Sequence, residues 1–327
     1  MSSNGVDIVI LCRQNTANVP YTLMSGINRY TDYTARMMVL QPTFGYPTDL
    51  IYPKDREKVI QIIQNANHIH LNILDPPQFP EEIHNAIKNA MWRGATVSKH
   101  YHGTILRINP PVQDHLYSRI FVSTPDLLEF HPHAVYLPNP VPTSLFETRP
   151  EFPEETTVVH TPSSARKNSN LLHKVRYPNL YPIPPEEETL KSTEFFRTTM
   201  DYLIEKKKKP LRYEILVYRP WEEVIKFKAR DASMVYDQLI IGWYGVSAIE
   251  ALALGKPVVV RIDHRWRNFL GEDHPLLLAD RHTFLEDMDF YTSLDHRSMK
   301  NDCRRWAKRH HHPREVARRF TETVLEG

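Results

Sequence analysis

Apolar and polar positions alternate between two periods along this chain. "VDIVILC" (6–12) is a short β-branched run of the kind that forms a parallel strand buried on both faces. "DREKVIQIIQNA" (55–66) spaces its apolar residues for a helix, and "HIHLNIL" (68–74) reads as a second strand with His68 and His70 on the same side. "PEEIHNAIKNAMWRG" (80–94) opens on Pro and acids and closes on Gly, the start and stop signals of a helix. "ATVSKHYHG" (95–103) predicts a strand, "RIFVSTPDLLEF" (119–130) a strand and short helix, and "HAVYLPNPV" (133–141) one more strand.

A second series follows. Strands are predicted at 155–164, 213–218, 234–241 and 256–262, with helices at 192–209, 220–231 and 247–255 between them. Strand–helix alternation in both halves predicts an α/β fold of two Rossmann-like domains with parallel sheets, facing across a cleft. The division falls near the Pro-rich stretch 138–153, giving domains of 1–145 and 146–300. The segment 301–327 is a basic helical tail expected to pack back on the first domain. Over 297–327 it holds nine Lys or Arg against four Asp or Glu, and its helix breaks at Pro313. Between the strand ending at Ser164 and the helix starting at Ser192, an insertion over 165–190 is too long for an ordinary connection; it is a lid or a tolerated surface arm.

Composition narrows the class. A chain of 327 residues with 41% apolar and 24% charged residues is an ordinary globular protein of about two domains. The net charge of +2 demands no polyanionic partner. Two cysteines provide neither a disulfide framework nor a Cys-rich metal site. No signal peptide and no apolar run of about 20 residues is present, which predicts a cytoplasmic chain without a membrane span; the basic tail also suits the periphery of an anionic membrane. The three histidines 310–312 do not share a helix face, which favours a solvated surface over a metal tract. The chain lacks G-x-G-x-x-G after its first strand, G-x-x-x-x-G-K-[ST], G-x-S-x-G and H-E-x-x-H, which argues against dehydrogenase, P-loop, hydrolase and zincin chemistry.

The candidate chemistry lies at strand ends, where open parallel sheets bind ligands. "IIGWYGVSAIE" (240–250) passes from a strand into a helix, so the backbone around Gly245 meets a helix N-terminus suited to phosphate. Glu250 lies among Ile249, Ala251, Leu252, Ala253 and Leu254, and a carboxylate buried there needs partners or a ligand. "HTPSS" (160–164) ends a strand in hydroxyls, as a phosphate contact or a simple turn. His102 in "YHGT" can touch substrate or serve the structure.

Together these segments resemble one family. "DQLIIGWYGVSAIEALALGKPVVV" (237–260) resembles the donor-site signature of the GT-B glycosyltransferases, in particular the large retaining group that includes bacterial glycogen and sucrose-type synthases (GT4-like). "HTPSS" with the later "LKSTEFF" resembles that group's split phosphate motif, "YHGTILR" its H-G-x-x-x-R segment, and "VSTPDLLEFHPHAVYLPNPV" its interdomain strand and linker. The likeness touches most of the chain from about 95 to 260 and continues more weakly at both ends.

The resemblance implies a retaining transfer from a nucleotide-diphosphate sugar, UDP- or GDP-linked, to a hydroxyl of a glycan or lipid-linked glycan, with no metal or other cofactor required. Domain 1–145 takes the acceptor side and 146–300 the nucleotide sugar. Glu250 matches the second Glu of the E-x7-E pair and takes the ribose; the backbone of Tyr244, Gly245 and Val246 faces the sugar and diphosphate. Lys191 neutralises the leaving diphosphate, Ser163 and Ser164 lie beside it, and His102 and Asp237 are the catalytic candidates. The sequence departs from the pattern at Gly242, where the first Glu of the pair is missing and Asp237 is the nearest substitute, and at residues 13–21, where the family's Gly-rich loop is replaced by "RQNTANVPY". Lys167 is an alternative to Lys191 in the split motif. The basic segments also motivate nucleic acid carrying modified bases as acceptor, and the lost Glu a non-catalytic relative.

Overall fold

The computed structural model describes residues 6–103, 116–162 and 191–326. The chain forms two compact units, one of 1–142 with 310–327 and one of 143–309.

Unit 1 is built on β1 (Ile8–Cys12), α1 (Val19–Tyr30), β2 (Ala35–Val39), β3 (Leu50–Ile51), α2 (Arg56–Asn65), β4 (His68–Asn72), α3 (Glu81–Trp92), β5 (Thr96–Tyr101), β6 (Arg119–Val122) and β7 (Val135–Tyr136). Its sheet runs β3-β2-β1-β4-β5-β6-β7, every pair parallel. β1 shows why its sequence is apolar throughout. Val9 and Leu11 enter one core with α2 and α3, while Ile8, Ile10 and Cys12 enter the other with α1 and Phe320. The elements α1, β2 and β3 lie beyond those predicted, although Val19, Leu23 and Ile27 have helical spacing. The strand expected over 133–141 is reduced to Val135–Tyr136, since Pro138 and Pro140 have no N–H for a ladder.

Unit 2 contains α4 (Thr143–Glu147), β8 (Thr156–His160), α5 (Thr193–Glu205), β9 (Leu211–Ile215), α6 (Trp221–Arg230), β10 (Met234–Tyr236), α7 (Val246–Leu254), β11 (Val258–Val260), β12 (Leu277–Leu278) and α8 (Phe284–Tyr291). Its parallel sheet runs β12-β11-β10-β8-β9. α5 and α8 close one face through Phe196, Met200, Phe284 and Met288. α7 packs on β10 and β11 and carries α4 and α6 against it.

Two tail helices, α9 (Lys300–His311) and α10 (Pro313–Thr321), meet at the predicted break. α10 lies on α1 in unit 1. A Cβ added at Gly26 of α1 would stand 2.8 Å from the carbonyl oxygen of Pro313, so glycine permits this close approach. The histidine tract is not the solvated surface its pattern suggested. His311 is buried with Nδ1 2.8 Å from the Asn139 carbonyl, and His312 caps α10 by accepting from the Arg314 N–H. Among the described residues no group of three metal-binding side chains is assembled, and no helix is long and apolar enough to cross a membrane.

Burial keeps several imidazoles neutral. It lowers His68 and His311 to about 3 and His102 and His160 to about 4, and it holds His70 and His100 well below the usual range. In the unfolded chain these groups titrate near the ordinary value of about 6.5. Their folded values are lowered, so the unfolded state binds more protons in the window below it. Their contribution to stability is complete above pH ~6.5 and is lost as pH falls toward ~4, at about 1.4 kcal/mol per pH unit for each histidine. Urea unfolding at pH 7 and pH 5 is expected to give a clearly lower stability at pH 5; equal values would contradict this burial.

Candidate donor site

The carboxyl ends of β8, β10 and β11 converge on the loop 237–245, and the strand expected over 234–241 ends at Tyr236 to release it. The loop is folded around Gln238. Its Oε1 accepts the N–H groups of Ile240 and Ile241, each at 2.7 Å, and its Nε2 donates to the Trp243 carbonyl. Trp243 and Tyr244 are buried and stacked, and Tyr244 meets the edge of Trp306. The Tyr244 ring is therefore an anchor.

That anchoring delivers Gly245 to the N-terminus of α7 beside two charges. The buried Asp237 carboxylate accepts the Gly245 N–H at 2.5 Å and the Lys191 ammonium at 2.7 Å. A Cβ at Gly245 would lie 2.9 Å from Lys191 Nζ and 3.4 Å from both Asp237 oxygens. Lys191 thus sits directly over the glycine, held by Asp237, with a quarter of its side chain exposed. The Val246 and Ser247 N–H groups precede the first intrahelical bond of α7, which the Ala248 N–H makes to the Gly245 carbonyl at 3.1 Å, and this turn carries the positive end of the helix dipole. Lysine, backbone donors and dipole together suit a diphosphate. From β8, Thr161 Oγ1 reaches Ser247 Oγ at 2.5 Å, so the strand end of the "HTPSS" segment meets the same turn. Ser163, Ser164, Lys167 and the insertion 165–190 lie outside the described residues.

Glu250 is 5% exposed, as its apolar neighbours required. Burial alone does not call for a ligand here, because protein groups already balance the charge. Trp221 Nε1 donates to one oxygen at 2.7 Å and Lys228 Nζ to the other at 2.8 Å. Lys228 is itself fully buried and also donates to the carbonyl and Oγ of Ser247. A carboxylate has about four lone-pair positions, so two bonds leave acceptor capacity. Lys228 and Trp221 were missing from the predicted site. Their signal is present: positions 221, 224, 225 and 228 share one face of α6, and a lysine in that apolar register marks a buried ammonium seeking a partner.

No protein-family model and no curated protein matches this sequence. Solved structures do match. An alpha-glucosyltransferase in complex with UDP and a 13-mer DNA containing an HMU base superposes with a TM-score of 0.60 at 11% identity, covering 98% of this chain and 100% of that one. Anabaena HepE in complex with UDP-glucose gives 0.59 at 12%, covering 98% and 100%. AviGT4, a glycosyltransferase involved in avilamycin A biosynthesis, gives 0.55 at 14%, covering 97% and 96%. The fold is GT-B.

Within this GT-B chain the departure at Gly242 has a physical cause. Its φ is +79°, and a Cβ there would meet Asp263 Cβ at 3.1 Å and Arg261 Nη1 at 3.3 Å. A glutamate would have to adopt a left-handed backbone, at about 1–2 kcal/mol, and displace its neighbours. Asp263, held near a pKa of about 2 chiefly by its hydrogen bond from Arg265, fills the adjacent space. Gly242→Glu is expected to lower the melting temperature and to leave sugar transfer no faster; a stable, more active variant would contradict this.

His102 belongs to unit 1 and lies just beyond β5. Its Nε2 is 2.9 Å from Asn72 Nδ2, and its ring lies 4.1 Å from that of His100.

Proposed function

We propose that this protein is a nucleotide-sugar-dependent glycosyltransferase of the retaining, GT4-like group. The observation that carries the reading is the Lys191–Asp237 pair seated over Gly245 at the N-terminus of α7. It unites three predicted site residues in a chain of GT-B fold, and the matching structures named with UDP or UDP-glucose support it. In this reading Lys191 and the first turn of α7 stabilise the leaving diphosphate, the electrostatic task of the reaction. Asp237 positions Lys191, because both its oxygens are engaged there. Glu250 accepts from the ribose hydroxyls, and His102 contacts the substrate. The bond between the anomeric carbon and the phosphate oxygen breaks as the acceptor hydroxyl attacks from the same side. Its proton passes to the departing phosphate.

The acceptor is a hydroxyl of a glycan or lipid-linked glycan. A hydroxymethylated base in DNA is the second reading, favoured by the end-to-end match to an enzyme solved with DNA containing an HMU base. Two assays test the proposal. UDP- and GDP-sugars are screened for thermal stabilisation and for release of nucleotide, on wild type and Glu250→Ala. Radiolabelled sugar is then offered to oligosaccharides, lipid-linked glycans and duplexes with hydroxymethylated bases. A donor should stabilise the wild type and lose that effect in Glu250→Ala. A stabilising donor whose effect survives the substitution would overturn the ribose assignment, and nucleotide binding without hydrolysis or transfer would leave a non-catalytic relative. Label on DNA would select the second reading.

A further inference from the structure

The carboxyl end of β4 is strained, and the strain lies beside His102. Ile73 has φ +73°, a left-handed conformation that is an outlier for a β-branched residue. The Leu74 N–H donates across it to the Asn72 carbonyl at 3.0 Å, closing a γ-turn of the rare positive-φ kind. Such a turn persists only where its surroundings enforce it. The enforcing group is Lys99, whose fully buried ammonium donates to the Ile73 carbonyl and to Asp75 Oδ1, each at 2.6 Å. Tyr117 donates to the same Asp75 oxygen, and the Ile73 N–H bonds the His100 carbonyl on β5. The clamp fixes the backbone of Asn72, and the pleat sends its side chain to the face that carries His70, His100 and His102.

Asn72 is 2% exposed. Its amide nitrogen meets His102 Nε2, and an amide nitrogen only donates. The imidazole must therefore accept at Nε2. The reverse amide orientation would leave its NH₂ where Oδ1 now lies without a partner, and an orphaned donor is rarer than an orphaned acceptor. Burial lowers the pKa of His102 to about 4, so the ring is neutral at pH 7 and its one proton is on Nδ1.

From this geometry we infer that Asn72 is a positioning residue, which locks His102 as its Nδ1–H tautomer and makes it a hydrogen-bond donor to bound substrate rather than a proton acceptor. The inference rests on the assignment of His102 to the active site, but the tautomer is readable without any activity.

Two-bond proton–nitrogen correlation spectra of histidine-labelled protein at pH 7 distinguish protonated from unprotonated ring nitrogens, and His102→Gln assigns the resonance. The wild type should show His102 protonated at Nδ1 alone. Asn72→Asp, which can only accept, should move the proton to Nε2 and raise the His102 pKa. It should also reduce kcat by about 10²-fold with little change in donor KM, the scale of losing one aligned donor. A wild-type His102 protonated at Nε2, or an Asn72→Asp spectrum with the wild-type tautomer, would overturn the lock. Unchanged kcat in an Asn72→Asp variant with the altered tautomer would overturn the positioning role. The wild-type spectrum needs no variant, so the lock stays testable if Asn72→Asp does not fold. Absence of transfer in the wild type would count against the glycosyltransferase reading, and against the role of Asn72 in it, while the spectrum still decides the tautomer.

Discussion

Lys191→Ala is expected to reduce sugar transfer by about 10²–10³-fold, the range for removing one preorganised group that meets developing charge. The ammonium stands over Gly245 beside the first turn of α7 and is held by a short contact to Asp237. Its removal subtracts the cation and exposes the diphosphate to the unneutralised Asp237 carboxylate, which then bonds the Gly245 N–H and repels the donor. Asp237→Asn on the Lys191→Ala background should therefore recover part of the donor affinity, and the two substitutions should be non-additive, as for groups in direct contact. Lys191→Arg should fall between wild type and alanine. Steady-state rates with a saturating acceptor check this. Equal rates for wild type and Lys191→Ala, with the fold intact, would remove Lys191 from the reaction.

Lys228→Met is expected to destabilise the protein by about 3–5 kcal/mol, the usual result of removing one partner of a buried ion pair. Lys228 has no exposed side-chain surface and Glu250 very little, so the remaining carboxylate would keep only the Trp221 donor. Adding Glu250→Gln to Lys228→Met should restore most of the loss, because a neutral amide is far less penalised by burial. Urea unfolding of wild type, both single variants and the double variant gives the coupling. Loss of less than about 1 kcal/mol in Lys228→Met would show that the pair is of the weak, solvent-screened kind.

These two lysines illustrate how much could be read in advance. The Lys191 assignment came from a motif, and motif residues adjoin backbone that the chain order already places at a strand end. The two-period pattern predicted parallel sheets because strands alternate with helices and β1 and β10 are apolar on both faces, which only a doubly covered strand requires. Lys228 was not legible in the same way. Its partner lies 22 residues away on another helix, and nothing local distinguishes a buried ammonium from a solvated one except its apolar register. The left-handed backbone of Gly242 was hidden for a related reason. A missing carboxylate looks like a lost function until the space beside it is found filled by Asp263. His311 and His312 were misread as surface because helix periodicity alone does not show which neighbour covers a face.

The central claim is that Lys191, Asp237 and the start of α7 form a diphosphate seat. Calorimetric titration of UDP into the wild type and into Lys191→Ala, in the same buffer and ionic strength, tests it most directly. The account predicts measurable UDP binding by the wild type and at least about tenfold weaker binding by the variant, a difference of about 1.4 kcal/mol. UDP and GDP affinities that are both undetectable in the wild type, or a UDP affinity unchanged by Lys191→Ala, would contradict it.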